Sequence, residues 1–393
     1  MRIPAIAYLS PRSSLLRRVI LPVLFLFFSF TAGKASAQID PVPRSYLELG
    51  FEGPLRGNGP VSGYGYFLWN RPHFFDEDLY VRAIVSPYIF LEAIRDNWPG
   101  KGQAIGISIG GGFFNNNFEQ IQNGVYSRSE SFQGDGAEAS VSYYVHPFKI
   151  AGILPVEGLI RLGTQYALYD RTSDTSPAYR LPGDTFIHSA RVGVRFGGIP
   201  PELVKTKALE FSLWHEADYR VKAGTHGSPG ALKSTDHLTQ QSWVILSGAM
   251  PVWLDHTASV SMTAGTTGDT DELSCFRLGS ALPFRDEFPF ILHGYYIHEI
   301  FARSFFLLNT SYRLRPVPDF DKIMLQLDWD YALVDYLPDH ELRRHCLNGL
   351  GADIIFNLTK DLTFSAGYGY GVDAPRHGGY GGHEINLLVE WKL

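Results

Sequence analysis

Past residue 37 the chain has no apolar run near the roughly 18 residues that a transmembrane helix needs, which excludes a helical membrane protein. Cysteine is nearly absent too. Cys275 and Cys346 are the only two, with no C-x-x-C or zinc spacing, which excludes a disulfide scaffold and a zinc-ribbon fold. An oxidising compartment permits a bridge between them, but two unpaired residues are the preferred reading. Charged residues are scarce, at 19% of the chain, and acids outnumber bases. Basic excess is therefore missing, and with it the broad positive surface that nucleic acid requires. Compact catalytic motifs are missing as well. His298-Glu299 is followed by Arg303 where a second His is needed, and His340-Glu341 reaches His345 one residue too late for H-E-x-x-H. His215-Glu216-Ala-Asp218 splits its groups over two strand faces, and no G-x-S-x-G occurs. Gly268-Asp-Thr-Asp-Glu272 lacks the full ligand spacing of a calcium loop. No catalytic residue, cofactor or metal site is expected, and the protein is not expected to be an enzyme.

What is present begins at the N-terminus. Arg2, Arg12, Arg17 and Arg18 precede an apolar run from Val19 to Phe30, and Ala35-Ser36-Ala37 follows. Positive region, short apolar core and A-x-A site make a secretory signal peptide over residues 1–37. The chain after it carries 29 basic against 40 acidic residues. Residues 38–44 then form a short periplasmic lead, and residues 45–393 a single domain.

The chain as a whole is rich in glycine (40 residues), phenylalanine (27) and tyrosine (21), and the hydrophobicity of residues 45–393 lies in short alternating segments. Side chains along a strand alternate faces with period two. Ser45–Glu52 sets Leu47, Leu49 and Phe51 against Glu48, Gly50 and Glu52. Thr185–Phe196 sets Phe186, Ala190, Val192, Val194 and Phe196 against Arg191, Gly193 and Arg195. Ile323–Tyr331 sets Leu325, Leu327 and Trp329 against Gln326, Asp328 and Asp330. Leu362–Val372 sets aliphatic and aromatic residues against Thr363, Ser365 and three glycines. The terminal strand sets Ile385, Leu387, Val389, Trp391 and Leu393 against Glu384, Asn386, Glu390 and Lys392, with Leu388 the one apolar intruder. It ends flush with the C-terminus, as outer-membrane barrel chains do.

These features predict an all-β fold, a transmembrane antiparallel β-barrel of the outer membrane with about 16 strands (14–16). Turn text rich in Gly, Pro, Asn and Asp falls between the strands at Pro54–Pro60, Asn70–Asp76, Pro316–Asp319, Leu337–Arg344, Leu358–Lys360 and Ala374–Gly381. Longer polar stretches lie at Asn115–Gly136, Asp170–Asp184 and Ala223–His237. Two of these fall where short periplasmic turns are expected, and Phe113–Ser131 is open to one strand more or less. Arg82, Arg161, Arg191, Arg195 and Arg313 share the inward faces with Glu48, Glu52, Asp328 and Asp330. Such charges either select solutes in an open pore or pair into an ionic plug.

Over roughly residues 274–393 an ordered series stands out. It comprises Phe276-Arg-Leu-Gly279, Leu292-His-Gly-Tyr295, Leu308-Asn-Thr-Ser-Tyr-Arg-Leu-Arg-Pro316, Leu325-Gln-Leu-Asp-Trp-Asp330, Gly349-Leu-Gly-Ala-Asp-Ile-Ile-Phe356 and the terminal strand. This third of the chain resembles the C-terminal half of the barrel in the bacterial surface antigen superfamily, whose members insert or secrete other proteins at the outer membrane. In that family an Arg-Gly-Phe/Tyr loop tip folds back into the lumen and pairs with an acidic residue on a facing strand. The resemblance implies a luminal loop tip at His293, Gly294 and Tyr295, with Asp328 and Asp330 as its candidate partners and Arg313 beside them. His293 stands where the family has arginine, so the contact would be weaker and pH-sensitive. About seven residues separate the cleavage site from the first strand, which leaves the family's periplasmic POTRA modules no room.

The function expected is a passive pore or structural scaffold in the outer membrane of a Gram-negative-type envelope. The alternatives are a reduced insertion or export barrel with a separate periplasmic protein partner, and an outer-membrane hydrolase. Outer-membrane lipid and, during biogenesis, the cell's barrel-assembly machinery are the expected partners, with no nucleic acid.

Overall fold

The computed structural model describes residues 39, 42–114, 116–146, 149–150, 154–197, 208–253, 256–282, 288–316 and 322–393. The signal peptide, most of the expected periplasmic lead and most of the Pro316–Asp319 turn lie outside them.

Sixteen strands follow one another around a closed sheet. They are β1 (Arg44–Pro54), β2 (Ser62–Arg71), β3 (Leu79–Val85), β4 (Tyr88–Asp96), β5 (Gln103–Gly112), β6 (Gln133–Val145), β7 (Leu154–Asp170) and β8 (Thr185–Gly197). The second half holds β9 (Ala208–Arg220), β10 (Leu238–Trp253), β11 (His256–Gly268), β12 (Ile300–Leu314), β13 (Ile323–Tyr336), β14 (Cys346–Asn357), β15 (Leu362–Arg376) and β16 (Gly379–Lys392). Each pairs antiparallel with its sequence neighbour. β1 closes on β16 from Tyr46 opposite Lys392 to Pro54 opposite Glu384. Two further bonds, Leu55 N–H to His383 O and Leu393 N–H to Ser45 O, each 2.8 Å, carry the seam past both ends of that ladder. Closure leaves no sheet edge, so every strand's backbone groups find partners without water. Among the described residues no helix is long and apolar enough to cross a membrane.

The alternation resolves as apolar outward and polar inward. Leu49, Phe51, Val192, Leu327, Leu387 and Trp391 are exposed on the outer surface, while Glu52, Asp330, Glu384, Asn386 and Glu390 are buried. Leu388 is also buried among them, against the lumen. Aromatic residues gather outside near both rims. The pairs Phe196–Phe211 and Phe356–Phe364 lie toward the rim that carries the chain ends, and Tyr166–Phe186 toward the other. This is the aromatic girdle of a membrane barrel.

With sixteen strands the loop parity is regular. Asn115–Gly136, Asp170–Asp184 and Ala223–His237 all fall at the rim opposite the chain ends, joined there by the longest connection, residues 269–299. The expectation that two of them break the alternation is corrected, because it rested on an uncertain strand count upstream. Among the described residues no barrel strand lies between Phe113 and Ser131. That stretch holds a small hairpin (Ile121–Gln122 with Val125–Tyr126) and one short 3₁₀ turn.

These loops roof the barrel. Phe118, Phe132, Tyr179, Cys275, Phe301 and Leu337 form a buried cluster drawn from four connections and the start of β12. Beside it, Glu272 accepts His340 Nε2 at 2.5 Å and His226 Nε2 at 3.4 Å, and pairs with Lys233. Asp271 pairs with Arg220 at 2.6 Å. Two acids of the calcium-like stretch, Asp271 and Glu272, are thus committed to protein side chains. Burial alone would push the Glu272 carboxyl up; His226, His340 and Lys233 outweigh it and hold it well below the usual carboxylate range. Both cysteines are free, Cys275 buried and Cys346 exposed, and burial pushes the Cys275 thiol up to about 12.

Candidate functional site: a loop latched inside the lumen

The connection between β11 and β12 does not stay in the roof. After the short strand Phe276–Leu278, paired with β12, it turns into the barrel and returns through Leu292–Glu299. Two sides of the lumen hold it by different means.

On the β9–β12 side the contact is made by rings. Trp214, Trp243 and Phe305 project from the wall, and Phe276, Phe288 and Phe290 project from the loop. Their centroids lie 4.9–6.3 Å apart, mostly tilted or edge-on. Arg195 lies over Trp214 and Arg191 over Trp243, at 5.7 and 5.8 Å. These cations are also paired, Arg195 with Glu210 at 3.0 Å and Arg191 with Glu216 at 2.5 Å. Further round, Arg82 and Arg161 converge on the buried Glu92, which also accepts Tyr144 Oη at 2.7 Å.

On the β13–β16 side the wall is bare. Gly349 and Gly351 of β14, Gly369 and Gly371 of β15 and Gly382 of β16 face inward, and the loop tip rests on their backbone. A Cβ on Gly382 would stand 1.9 Å from Gly294 O, and one on Gly371 would stand 2.7 Å from the same atom. A Cβ on Gly349 would meet His293 O at 2.7 Å. Gly294 itself has φ +79°, the left-handed turn that lets the tip reverse, and a side chain there would run into Gly371 N.

Hydrogen bonds fix the tip on this bed. Asp330 Oδ2 accepts both His293 N–H at 2.8 Å and His293 Nδ1 at 2.6 Å, and its other oxygen accepts Asn309 Nδ2 at 2.7 Å. Gly294 N–H donates to Glu384 Oε1 at 2.6 Å. Arg376 reaches in from the end of β15, donating to Gly294 O at 3.1 Å and to both Glu299 oxygens at 2.7 and 3.0 Å. Its guanidinium lies 3.7 Å from the Tyr296 ring centre. Across the seam, Glu52 Oε2 accepts Ser280 Oγ and Ala281 N–H, both at 2.8 Å, and Leu282 N–H at 3.1 Å. The loop is therefore tied to β1, β12, β13, β15 and β16.

Of the residues singled out in the sequence, His293, Gly294 and Tyr295 lie inside the barrel, and Tyr295 is fully buried. Asp330 meets His293 directly. Asp328 instead accepts Gln326 Nε2 at 3.1 Å through each oxygen, and faces the far side of the imidazole. Arg313 donates to Gln326 Oε1 at 2.6 Å and 3.1 Å, and that amide in turn donates to Asp328. Ile385, Leu387, Val389, Trp391 and Leu393 form the outward face of the last strand. Sequence reasoning missed Arg376, Glu384, Asp353, Asn309 and the glycine bed. The glycines had left a signal, since they alternate with Tyr368, Tyr370 and Val372 on the polar face of β15.

Between loop and wall lies a polar cavity of about 1650 Å³, lined by Arg82, Arg161, Arg191, Arg195, Arg313, Glu48, Asp328 and Asp330 among others.

No family model matches the chain, and no curated protein matches it. Solved structures do. CdiB from Escherichia coli superposes with a TM-score of 0.60 at 11% identity, over 90% of this chain and 63% of that one. CdiB from Acinetobacter baumannii gives 0.59 at 11% identity, over 92% and 64%. BamA from Haemophilus ducreyi lacking POTRA domains 1-3 gives 0.55 at 11% identity, over 100% and 80%. The chain thus spans under two thirds of the length of either CdiB. At this identity the likeness is one of fold.

Proposed function

We propose that the protein is an outer-membrane barrel that acts as a loop-plugged pore, shut at rest by its own β11–β12 connection. The outer-membrane location is supported by the apolar belt with its aromatic girdles, which matches a bilayer and not water. Lipid around that belt, and the cell's barrel-assembly machinery during insertion, are the partners this reading needs. The observation that carries it is the polar cavity left between loop and wall. A purely structural barrel gains nothing from keeping six arginines and their acids around an open polar cavity, where a packed apolar lumen would avoid the cost of desolvating charge. The reading assigns no reaction to the chain.

Conductance in planar bilayers tests it. The wild type is expected to show small or rare openings. A variant lacking the tip, residues 291–297 replaced by a short glycine-serine link, is expected to conduct steadily and several-fold more. Equal, negligible conductance in both proteins would leave the barrel a scaffold.

A second reading, a reduced insertion or export barrel, draws support from the fold likeness to CdiB and BamA together with the tip docked on Asp330. A periplasmic protein that copurifies with the wild type, and is lost with the tip, would favour it.

A further inference from the structure

We propose that His293, Asp328 and Asp353 bind one divalent transition-metal ion of the zinc class, joining the loop tip to β13 and β14. The three residues each present a ligand atom, and these atoms lie within 4.8 Å of one another. They come from three separate elements and meet only inside the barrel.

The histidine is set up as a ligand. Its side chain is only 9% exposed, and Nδ1 is committed to Asp330 at 2.6 Å. A carboxylate on one ring nitrogen fixes the tautomer, leaves the other nitrogen as the acceptor and raises its basicity, as second-sphere carboxylates do for zinc histidines. That other nitrogen lies over Gly351, on the side of the ring where Asp328 stands. A Cβ on Gly351 would sit 2.8 Å from His293 Nε2 and 3.0 Å from Asp328 Cβ, so both crowd the same bare patch of β14. Asp353 arrives from the same strand two residues on, and Asn386 Nδ2 flanks it above Gly367.

Two carboxylates meet at the ring. Asp328 and Asp353 lie against each other, with Arg313 facing both and joined to Asp328 through Gln326. His293, Asp328, Asp353 and Asn386 all line the cavity, so solvent reaches the site and water can complete a coordination shell. One imidazole with two carboxylates and open positions suits zinc, cobalt, iron or manganese better than calcium, which takes six to eight oxygens. The competing arrangement is an imidazolium bridging Asp330 and Asp328 with no metal.

The test uses the full chain folded in detergent and stripped with chelator, titrated with Co²⁺ and Zn²⁺ in a calorimeter and, for Co²⁺, by visible absorption. One saturable site per barrel is expected, with d–d bands that Zn²⁺ abolishes and Ca²⁺ does not. Asp353→Asn should weaken binding at least tenfold, as should Asp328→Asn, and Asp330→Asn by about 10–100-fold through the ring it orients. Heat-modifiable mobility checks that each variant is a closed barrel. In the wild type alone, Zn²⁺ should raise the temperature at which the fast-migrating band disappears. Absence of saturable binding in the folded wild type overturns the site in favour of the imidazolium bridge. Undiminished affinity in both Asp328→Asn and Asp353→Asn overturns it too, by placing the ion elsewhere. Because binding is read without any current, the site and the pore fail separately.

Discussion

The loop is held on two sides of one lumen, and the two sides work differently. On the β9–β12 wall it meets side chains: indoles, phenyl rings and guanidinium groups already paired with carboxylates. On the β13–β16 wall it meets backbone, through a row of glycines. Glycines occur on the first wall too, but there they make room for rings. A Cβ on Gly265 would meet the edge of Phe305 at 2.5 Å, and one on Gly193 would meet Trp214 at 2.1 Å. A ring can swing or slide by a few tenths of an ångström, whereas a backbone turn tied down at His293 N–H, Gly294 N–H and Gly294 O cannot. One wall is thus a forgiving cushion and the other a fitted socket.

That contrast is open to breaking by mutation. The largest effect is expected at Arg376, which is buried against Glu299 in the socket. Arg376→Met strands a buried carboxylate and should cost about 3–5 kcal/mol. The loss would be read as a lower temperature for the change in gel mobility, together with steady conductance. If Arg376→Met costs no more than Arg191→Met on the cushion, the two walls do not differ. Next comes the glycine bed. Gly382→Val should cost about 1–3 kcal/mol by overpacking and lift the tip. Gly265→Ala, whose neighbours are rings, should cost less, and Gly268→Ala, with nothing within 4 Å, should be close to neutral. A third expectation concerns the cushion's own charges. Arg191 and Glu216 keep 21% and 19% of their side-chain surface exposed. Arg191→Met should therefore cost about 1 kcal/mol from the screened pair and the lost ring contact, and alter ion selectivity more than stability.

The smallest effect belongs to the roof. Glu272 titrates lower in the folded protein than its ordinary 4.5. Its contribution is therefore fully present above that value and lost as pH falls below it. Limited proteolysis of residues 116–132 should quicken only as the pH falls below about 4.5. Glu272→Gln should flatten that dependence, and a dependence left unchanged would take the roof's pH response away from this carboxylate.

The barrel was largely legible in the sequence, and the socket was not. Leu47, Leu49 and Phe51 against Glu48 and Glu52, or Leu327 and Trp329 against Asp328 and Asp330, announce their two faces because alternation needs nothing beyond the strand itself. The loop parity failed upstream for a reason of the same kind. A roof hairpin such as Ile121–Tyr126 uses the residues of a short strand, and only membrane thickness tells the two apart. Asp330 was reachable through the family resemblance. Arg376 was not, because it sits past the recognisable strand, in turn text next to His377 and Gly378. Asp353 stood inside the Gly349–Phe356 segment with nothing in the sequence to single it out. The inward glycines looked like gaps in a polar face.

By itself, then, the sequence determined that the chain is built of two-faced strands and which face of each is oily. These are properties of neighbouring residues, set by the pleat. Only the tertiary structure decided that β1 closes on β16, that the β11–β12 connection goes inward, and that His293 meets Asp330 on one side and Asp328 with Asp353 on the other. Each of those depends on register between segments far apart in the chain. A missing side chain says nothing about what fills its place until the opposite surface is there.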